Sequence, residues 1–188
     1  VVEINEPSVR ALEPLFGRWP WPRVAHAVLI DFLTQARAKV IAYDVLFTEQ
    51  DNRGAFELEG ETLTGGTSDA MLAQAAAAAK NVIVLSNAVF EGLASTNQTT
   101  GTPTSLDCNA PPLPGTIYAP GSGFMPRPCL DLPFAQLAGA VAGVGHNFVV
   151  VEPIAHRKID PFIEAPGGPV PALGLAAALF ALGARAED

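Results

Sequence analysis

The first half of the chain alternates between short apolar runs and stretches in which apolar residues recur at helical spacing. Val24, Val28 and Phe32 recur every four residues, which predicts a helix over Pro22–Ala38. A second periodic stretch, Ala70–Ala79, predicts another helix, with Ser68 or Asp69 as its N-cap. The apolar runs predict three strands buried on both faces: Val1–Ile4, Lys39–Tyr43 and Asn81–Leu85.

Alternating strands and helices predict an α/β fold, an open and mainly parallel sheet with right-handed crossover helices. Val9–Phe16 adds a short helix ended by Gly17. Thr48–Thr67 is polar, acidic and contains glycine, so it reads as a loop. Glu91–Leu132 is rich in Pro, Gly, Ser and Thr, which predicts a long irregular segment.

The last part of the chain predicts a hairpin and a final helix. A short helix is expected over Pro133–Ala142. Val144–Glu152 and Arg157–Glu164 predict the strands of an antiparallel hairpin that turns at Pro153–His156. Pro166–Pro169 breaks the chain. A C-terminal helix is then expected over Pro171–Leu182, ended by Gly183.

Composition narrows the class of protein. The chain has 188 residues, 49% hydrophobic and 16% charged, which suits one folded domain over residues 1–188. A formal net charge of -8 argues against nucleic acid as a partner, because an acidic surface repels phosphates. The longest apolar stretch, Pro171–Ala184, is too short to span roughly 30 Å of hydrocarbon. The chain starts without Met, so we expect a soluble fragment of a longer protein.

The two cysteines, Cys108 and Cys129, both lie in the irregular segment. Their spacing matches no zinc-binding pattern. They are either two free thiols or one disulfide, and the loop context favours the disulfide because an irregular segment gains most from a covalent link.

Polar residues follow the predicted strands. In open parallel sheets, ligands bind beyond the carboxyl ends of the strands. Polar residues at these strand ends can form a pocket for a small molecule or a cation. They can instead cap helices and fix loops. The candidate ligand-binding residues at these ends are Asn5, Glu6, Asp44, Ser86 and Asn87, joined by Asp69.

Trp19, Trp21 and Arg23 also suggest binding, through stacking and cation–π contacts. The favoured alternative is that both indoles pack over the sheet edge, because large aromatic rings contribute so much apolar burial. Arg23 would then pair with Asp44 or Glu6.

Catalytic motifs are missing from the sequence. His26, His146 and His156 have no metal-ligand spacing, although His146 and His156 would face each other across the predicted hairpin. No nucleophile elbow and no phosphate-binding glycine loop occurs. We therefore expect no catalytic residue, no metal and no cofactor.

Several blocks occur together in an order that resembles one known family. The Trp-Pro-Trp-Pro-Arg and Asp-Val-Leu-Phe sequences are the most specific of them. The blocks are Ile4–Ser8, Trp19–Arg23, Tyr43–Phe47, Asp69–Ala73 and Pro171–Ala177. In this order they resemble the second type of CHASE domain, the cyclase- and histidine-kinase-associated extracellular sensory family. Asn5 stands where the family usually has Asp, and Pro153-Ile154-Ala155 replaces its usual Asp-Gly turn.

The resemblance implies a periplasmic sensor held between transmembrane helices of its own chain. Such a module would receive a small molecule or other extracellular signal, as a monomer or a homodimer. It would relay that signal to a cytoplasmic adenylate or guanylate cyclase, histidine kinase, diguanylate cyclase or Ser/Thr kinase. Two alternatives stay open: a metal-dependent hydrolase using the acidic strand ends, and a structural ectodomain that orients a receptor dimer.

Overall fold

The computed structural model describes residues 1–89, 113–115, 118–119, 123–148 and 159–184, and these form a mixed α/β fold. The helices in these ranges are α1 (Glu6–Phe16), α2 (Arg23–Gln35), α3 (Gly65–Ala79), α4 (Ala135–Ala138) and α5 (Leu173–Leu182). The first strands are β1 (Ile41–Tyr43), β2 (Phe56–Leu58), β3 (Glu61–Leu63) and β4 (Val82–Val89). The later strands are β5 (Met125–Pro126), β6 (Cys129–Asp131), β7 (Gly143–His146), β8 (Phe162–Ala165) and β9 (Gly168–Pro171).

Strand β4 is the centre of the main sheet. It pairs in parallel with β1, in the register Ile41 to Val82, and in parallel with β7. Its last three residues pair antiparallel with β6. The predicted strands Lys39–Tyr43 and Asn81–Leu85 are therefore confirmed as parallel neighbours. Two smaller sheets, β2–β3 and β5–β8–β9, complete the strand pairing in the described ranges.

The core lies between the main sheet and the helix pair α2 and α3. Ile30 of α2 and Leu72 of α3 are buried with Val82 and Val84 of β4. Small side chains on α3, such as the fully buried Ala76, allow α2 and α3 to approach closely. Among the helices that the structure describes, none combines the length and the apolar character needed to cross a bilayer.

The predicted first strand, Val1–Ile4, is wrong, because this segment has no regular structure and helix α1 begins directly after Asn5. Asn5 Oδ1 accepts a hydrogen bond from the Ser8 amide at 3.0 Å, and Ser8 Oγ accepts one from the Asn5 amide at 3.0 Å. This reciprocal capping box satisfies two main-chain donors at the helix start. The local cap therefore decides the structure here.

The cap of helix α3 also differs from the prediction. Thr64 is the N-cap, and its Oγ1 accepts from the Thr67 amide at 3.2 Å. Ser68 and Asp69 lie within the first turns and are buried. The predicted loop Thr48–Thr67 contains the β2–β3 hairpin. Its polar composition did not indicate the two short strands, in which Leu63 is the one buried residue.

A late hairpin exists between β8 and β9, while the predicted pairing of Val144–Glu152 with Arg157–Glu164 involves residues outside the described ranges and stays a prediction. Strand β7 pairs with β4, while β8 pairs antiparallel with β9 and in parallel with β5. The turn falls at Pro166-Gly167, where Gly167 and Gly168 have φ values of 100° and 127°. Glycine adopts such angles readily, so the predicted chain break is the actual hairpin turn. Pro153–His156, the turn expected from the sequence, lies outside the described residues.

Candidate functional site

A groove with a volume of about 850 Å³ runs along the outer edge of β1. In the described part of the chain, β1 pairs only with β4, so its other edge is open. The segment Val1–Glu6 lines one part of the groove, and Leu29 and Leu33 of α2 line another. Residues Val40–Val45 and Trp19 complete a mostly apolar lining. We call this the β1-edge groove.

The main chain of β1 gives this groove a hydrogen-bonding position. The Ile41 amide donates to the Asn81 carbonyl at 3.0 Å, so Ile41 is directed towards β4. Successive residues of a strand direct their main-chain groups to alternate sides. Ala42, which lines the groove, therefore presents its N–H and C=O to the open edge.

Among the described residues of the lining, the charged side chains are all acidic: Glu3, Glu6 and Asp44. Glu6 Oε1 accepts from Arg10 Nε at 2.9 Å, in a pair whose side chains are both more than two-thirds exposed. Glu3 and Asp44 are exposed and make no ion pair within the part of the chain that the structure describes. The groove thus combines apolar walls with uncompensated negative charge.

Four of the nine predicted binding residues line this groove: Asn5, Glu6, Trp19 and Asp44. Asp44 follows β1 as expected, whereas Asn5 and Glu6 belong to the start of α1. Val1, Leu29, Leu33 and Ala42 were missed as groove residues. The spacing of Leu29 and Leu33 signals an apolar helix face, but not that the neighbouring sheet edge leaves this face partly open.

Trp19 connects the groove to a buried aromatic cluster. Its ring lies 5.2 Å from Trp21 and 6.0 Å from His26, in edge-on contacts. Trp19 is 42% exposed, while Trp21 is buried. His26 Nδ1 lies 3.1 Å from the hydroxyl of Tyr43, whose pKa is raised by burial. Burial, helped by the positive charge of Arg23, lowers the pKa of His26 to about 4.

Arg23 pairs with Asp69, and not with Asp44 or Glu6 as predicted. Arg23 Nε lies 3.8 Å from Asp69 Oδ1, and its guanidinium carbon lies 4.8 Å from the centre of the Phe47 ring. Nη2 donates to the Glu49 carbonyl at 3.2 Å. The pair forms because α2 and α3 pack side by side, which brings together residues distant in sequence. Burial lowers the pKa of Arg23, and Asp69 opposes this shift.

Asp69 fixes a loop as well as Arg23. Its Oδ2 accepts from the Asp51 amide at 2.8 Å, and the side chain is 2% exposed. Burial raises the pKa of Asp69, while the Asp51 amide and Arg23 oppose that shift. Arg53 Nη1 donates to Asp51 Oδ2 at 2.6 Å, and Nη2 donates to the Pro20 carbonyl. The sequence did not indicate the structural roles of Asp51 and Arg53, because only their tertiary contacts distinguish them from other loop residues.

Ser86 and Asn87 lie away from the groove, within β4. Ser86 is fully buried, and its Oγ donates to the Gly145 carbonyl at 3.1 Å. Asn87 is in register with Asp131 of β6. Ser68, which the sequence suggested as a cap, instead accepts from the Val24 amide at 2.7 Å and so caps the start of α2.

The remaining candidates are partly outside the described ranges. His146 is buried, and its Nδ1 accepts from the Phe148 amide at 3.0 Å. Cys129 is buried at the start of β6. His156 and Cys108 lie outside the described residues, so the histidine pair and the disulfide stay predictions. Within the described ranges, no group of three or more His, Cys, Asp and Glu side chains could hold a metal ion.

The fold and the groove are those of a mixed α/β domain with a ligand-sized opening at a sheet edge. The chain belongs to the CHASE2 domain family, whose family model matches residues 1–188. CHASE2 domains are extracellular sensory domains, consistent with an extracytoplasmic location. No curated protein and no solved structure matches the chain significantly.

Proposed function

We propose that this chain is the signal-input domain of a bacterial transmembrane receptor and binds a small molecule in the β1-edge groove. The domain would lie on the periplasmic face of the inner membrane. The observation that carries the proposal is the groove itself. It gathers Asn5, Glu6, Trp19 and Asp44, and its volume of about 850 Å³ is in the range of ligand sites.

Trp19 is the proposed link between ligand and signal. Arg23, which the sequence also suggested as a binding residue, is held by Asp69 and does not line the groove. Trp19 does line it and contacts Trp21, and Arg53 holds the Pro20 carbonyl between them. A ligand that prefers one arrangement of Trp19 would bias the arrangement of Trp19–Pro22 by its differential affinity.

The output lies outside this domain. We propose that transmembrane helices of the same protein pass the change to a cytoplasmic cyclase, histidine kinase, diguanylate cyclase or Ser/Thr kinase, in a homodimeric receptor. The acidic charge of -8 disfavours nucleic acid as the signal.

Two alternatives predict different features. A metal-dependent hydrolase requires a cluster of close carboxylates. Asp69 is held by Arg23 and by the Asp51 amide, and in the described ranges no three His, Cys, Asp or Glu side chains, those of the groove included, are placed to share a metal ion. A purely structural ectodomain predicts no opening of ligand size near the strand ends. The β1-edge groove favours the sensor.

The test fills the groove. Ala42→Trp places a large ring at the open edge of β1, and Ala77→Trp on the exposed face of α3 is the matched control. In a small-molecule screen by thermal denaturation, we expect ligands that stabilise the wild type and Ala77→Trp but not Ala42→Trp. In the intact receptor, only Ala42→Trp should abolish the response of the output domain. Ligands that act equally on both variants would place binding elsewhere.

A further inference from the structure

We propose that the β1-edge groove takes an organic cation, an amine carried on an apolar alkyl or arylalkyl body. This inference rests on the proposed function and names the class of ligand for the same groove. It follows from four features of the lining: the sign of its charges, its apolar walls, the position of its aromatic ring and the outward main-chain groups of Ala42 in β1.

The charges select against an anion. Glu3, Glu6 and Asp44 line the groove, and among the residues that the structure describes no Lys or Arg side chain does. Arg10 compensates only Glu6. An anionic ligand would meet two unpaired carboxylates, whereas an ammonium group would be attracted by them. The net charge of -8 adds a long-range field of the same sign, which favours the approach of cations.

The walls select for an apolar body. Leu29, Leu33, Val40 and Val45 line the groove beside the exposed carboxylates. A fully hydrated metal ion or a small inorganic cation would leave these surfaces without a partner. A hydrocarbon chain or ring would cover them and gain the free energy of apolar burial.

Trp19 and Ala42 offer specific contacts for the cationic end. Trp19 is held on one side by Trp21 and His26 and remains 42% exposed, so part of its ring is free for a cation–π contact. The outward carbonyl of Ala42 can accept a hydrogen bond from an ammonium N–H. Both residues line the same groove.

The experiment uses three probes that share one apolar body and differ in charge. These are 4-phenylbutylammonium, 4-phenylbutanol and 5-phenylpentanoate, titrated into the ¹⁵N-labelled chain. The readouts are the Trp19 indole and Ala42 amide resonances. We expect the cation to bind about three- to tenfold more tightly than the alcohol at low salt, and the anion most weakly, because exposed ion pairs contribute modestly. Added salt should reduce this preference.

A matched pair of double variants isolates the groove charges. Glu3→Gln with Asp44→Asn removes the two unpaired carboxylates, and Glu61→Gln with Asp31→Asn makes the same change at exposed positions outside the groove. We expect the first pair to reduce the preference for the cation over the alcohol, with Trp19 and Ala42 supplying what remains, and the second pair to leave the preference unchanged.

The outcomes separate this inference from the proposed function. If all three probes shift the Trp19 and Ala42 resonances with equal affinity, the groove binds ligands but the cation preference is overturned. A preference that Glu3→Gln with Asp44→Asn leaves undiminished overturns it as well. If no probe shifts these resonances, both the cation and the ligand groove of the proposed function are rejected.

Discussion

At the residue scale, burial controls the charge of two histidines. His26 and His146 are 2% and 0% exposed. Burial lowers the pKa of each to about 4, with repulsion from Arg23 adding to the shift of His26. For His146, attraction to Asp160 opposes the effect of burial. Both imidazoles are therefore neutral in the fold at pH 7, and the folded state resists their protonation.

The domain should lose stability as the pH falls from 6.5 towards 4. In this window the unfolded chain binds protons on His26 and His146 that the folded chain does not bind, so the free energy of unfolding decreases. Each histidine accounts for about 2 kcal/mol between pH 7.5 and 5. Asp69 and Asp131, whose pKa values burial raises, act in the opposite direction.

Urea unfolding of the wild type and of His26→Gln at pH 7.5 and 5 measures how much His26 contributes to this loss of stability. The variant should show the smaller loss, by about 2 kcal/mol. Equal pH dependence in the two proteins would show that His26 is not kept neutral by the fold.

The ion pair of Arg23 and Asp69 also contributes to the stability of the domain. Their side chains are 15% and 2% exposed. Asp69→Asn keeps an acceptor for the Asp51 amide but leaves the Arg23 cation without its carboxylate. We expect a loss of about 2–4 kcal/mol in the free energy of unfolding, because a buried charge is left uncompensated.

Adding Arg23→Met to Asp69→Asn should restore part of this loss, since the double variant no longer buries a lone charge. Glu6→Gln, which breaks the exposed pair with Arg10, is the control and should change stability little. Chemical denaturation of the wild type, Asp69→Asn, Arg23→Met and the double variant completes the cycle, and Glu6→Gln is measured beside them. Additive effects of the two substitutions would contradict a direct interaction between Arg23 and Asp69.

The local cap and the distant ion pair differ in how far the sequence predicts them. The spacing of Asn5 and Ser8 is a capping-box signal, but the apolar run before it favoured a strand ending in acidic residues. The partner of Arg23 had no local signal, because Asp69 lies on another helix. Asp44 was nearer in sequence, yet it is exposed directly after β1 and lines the groove.

At the element scale, helix α5 depends on a close approach to β7. A Cβ atom added to Gly145 would lie 2.5 Å from Leu173 Cα and 3.2 Å from Ala176 Cβ. Gly174 follows Leu173 in α5, and a Cβ atom added to Gly174 would have no atom within 4 Å. Gly145 therefore lies in the contact between β7 and α5, whereas Gly174 lies on the exposed side of α5.

Gly145→Ala should destabilise the domain by about 1–3 kcal/mol, because α5 must move away from the sheet. Gly174→Ala, the matched control, should stabilise it by about 0.5–1 kcal/mol through helix propensity. Thermal or urea unfolding of both variants gives the comparison. If Gly145→Ala were neutral, α5 would not be packed against β7 as described.

Periodic elements were predicted best. The expected helices Pro22–Ala38 and Pro171–Leu182 contain α2 and α5, which begin and end within a few residues of these limits. Gly183 ends α5 with a φ of 71°, as its position indicated. Strand pairing was harder, because alternation marks a strand without naming its neighbour. In the structure, β8 pairs antiparallel with β9, and β7 pairs in parallel with β4. The alternation in these segments indicated neither partner.

At the scale of the whole molecule, the sheet brings together segments that are far apart in sequence. The sequence predicted an α/β fold with parallel strands and an acidic surface, and the mixed α/β architecture is confirmed. The β1-edge groove was not predictable as a shape. It requires Val1–Glu6 to lie near β1 without pairing with it, and no local pattern in the sequence indicates that placement.

Cys129 belongs to the predicted irregular segment Glu91–Leu132 and also to β6, which pairs with β4 of the main sheet. It is buried in β6, where its main chain is in register with Val89 at the end of β4. A disulfide to Cys108 would therefore join the irregular segment to the central strand. Closing a loop of about twenty residues should stabilise the fold by roughly 3 kcal/mol on the chain-entropy account, because the unfolded chain loses freedom.

Dithiothreitol should lower the free energy of unfolding of the wild type by about this amount and leave Cys108→Ala unchanged, since the variant has no bond to reduce. The comparison separates the disulfide from general effects of the reductant on stability. Mass spectrometry of the unfolded, non-reduced protein after alkylation provides the direct measurement, and the expected result is that neither cysteine is modified. Two alkylated thiols in freshly purified, air-exposed protein would show instead that Cys129 is a buried thiol and that the irregular segment is held to β4 by strand pairing alone.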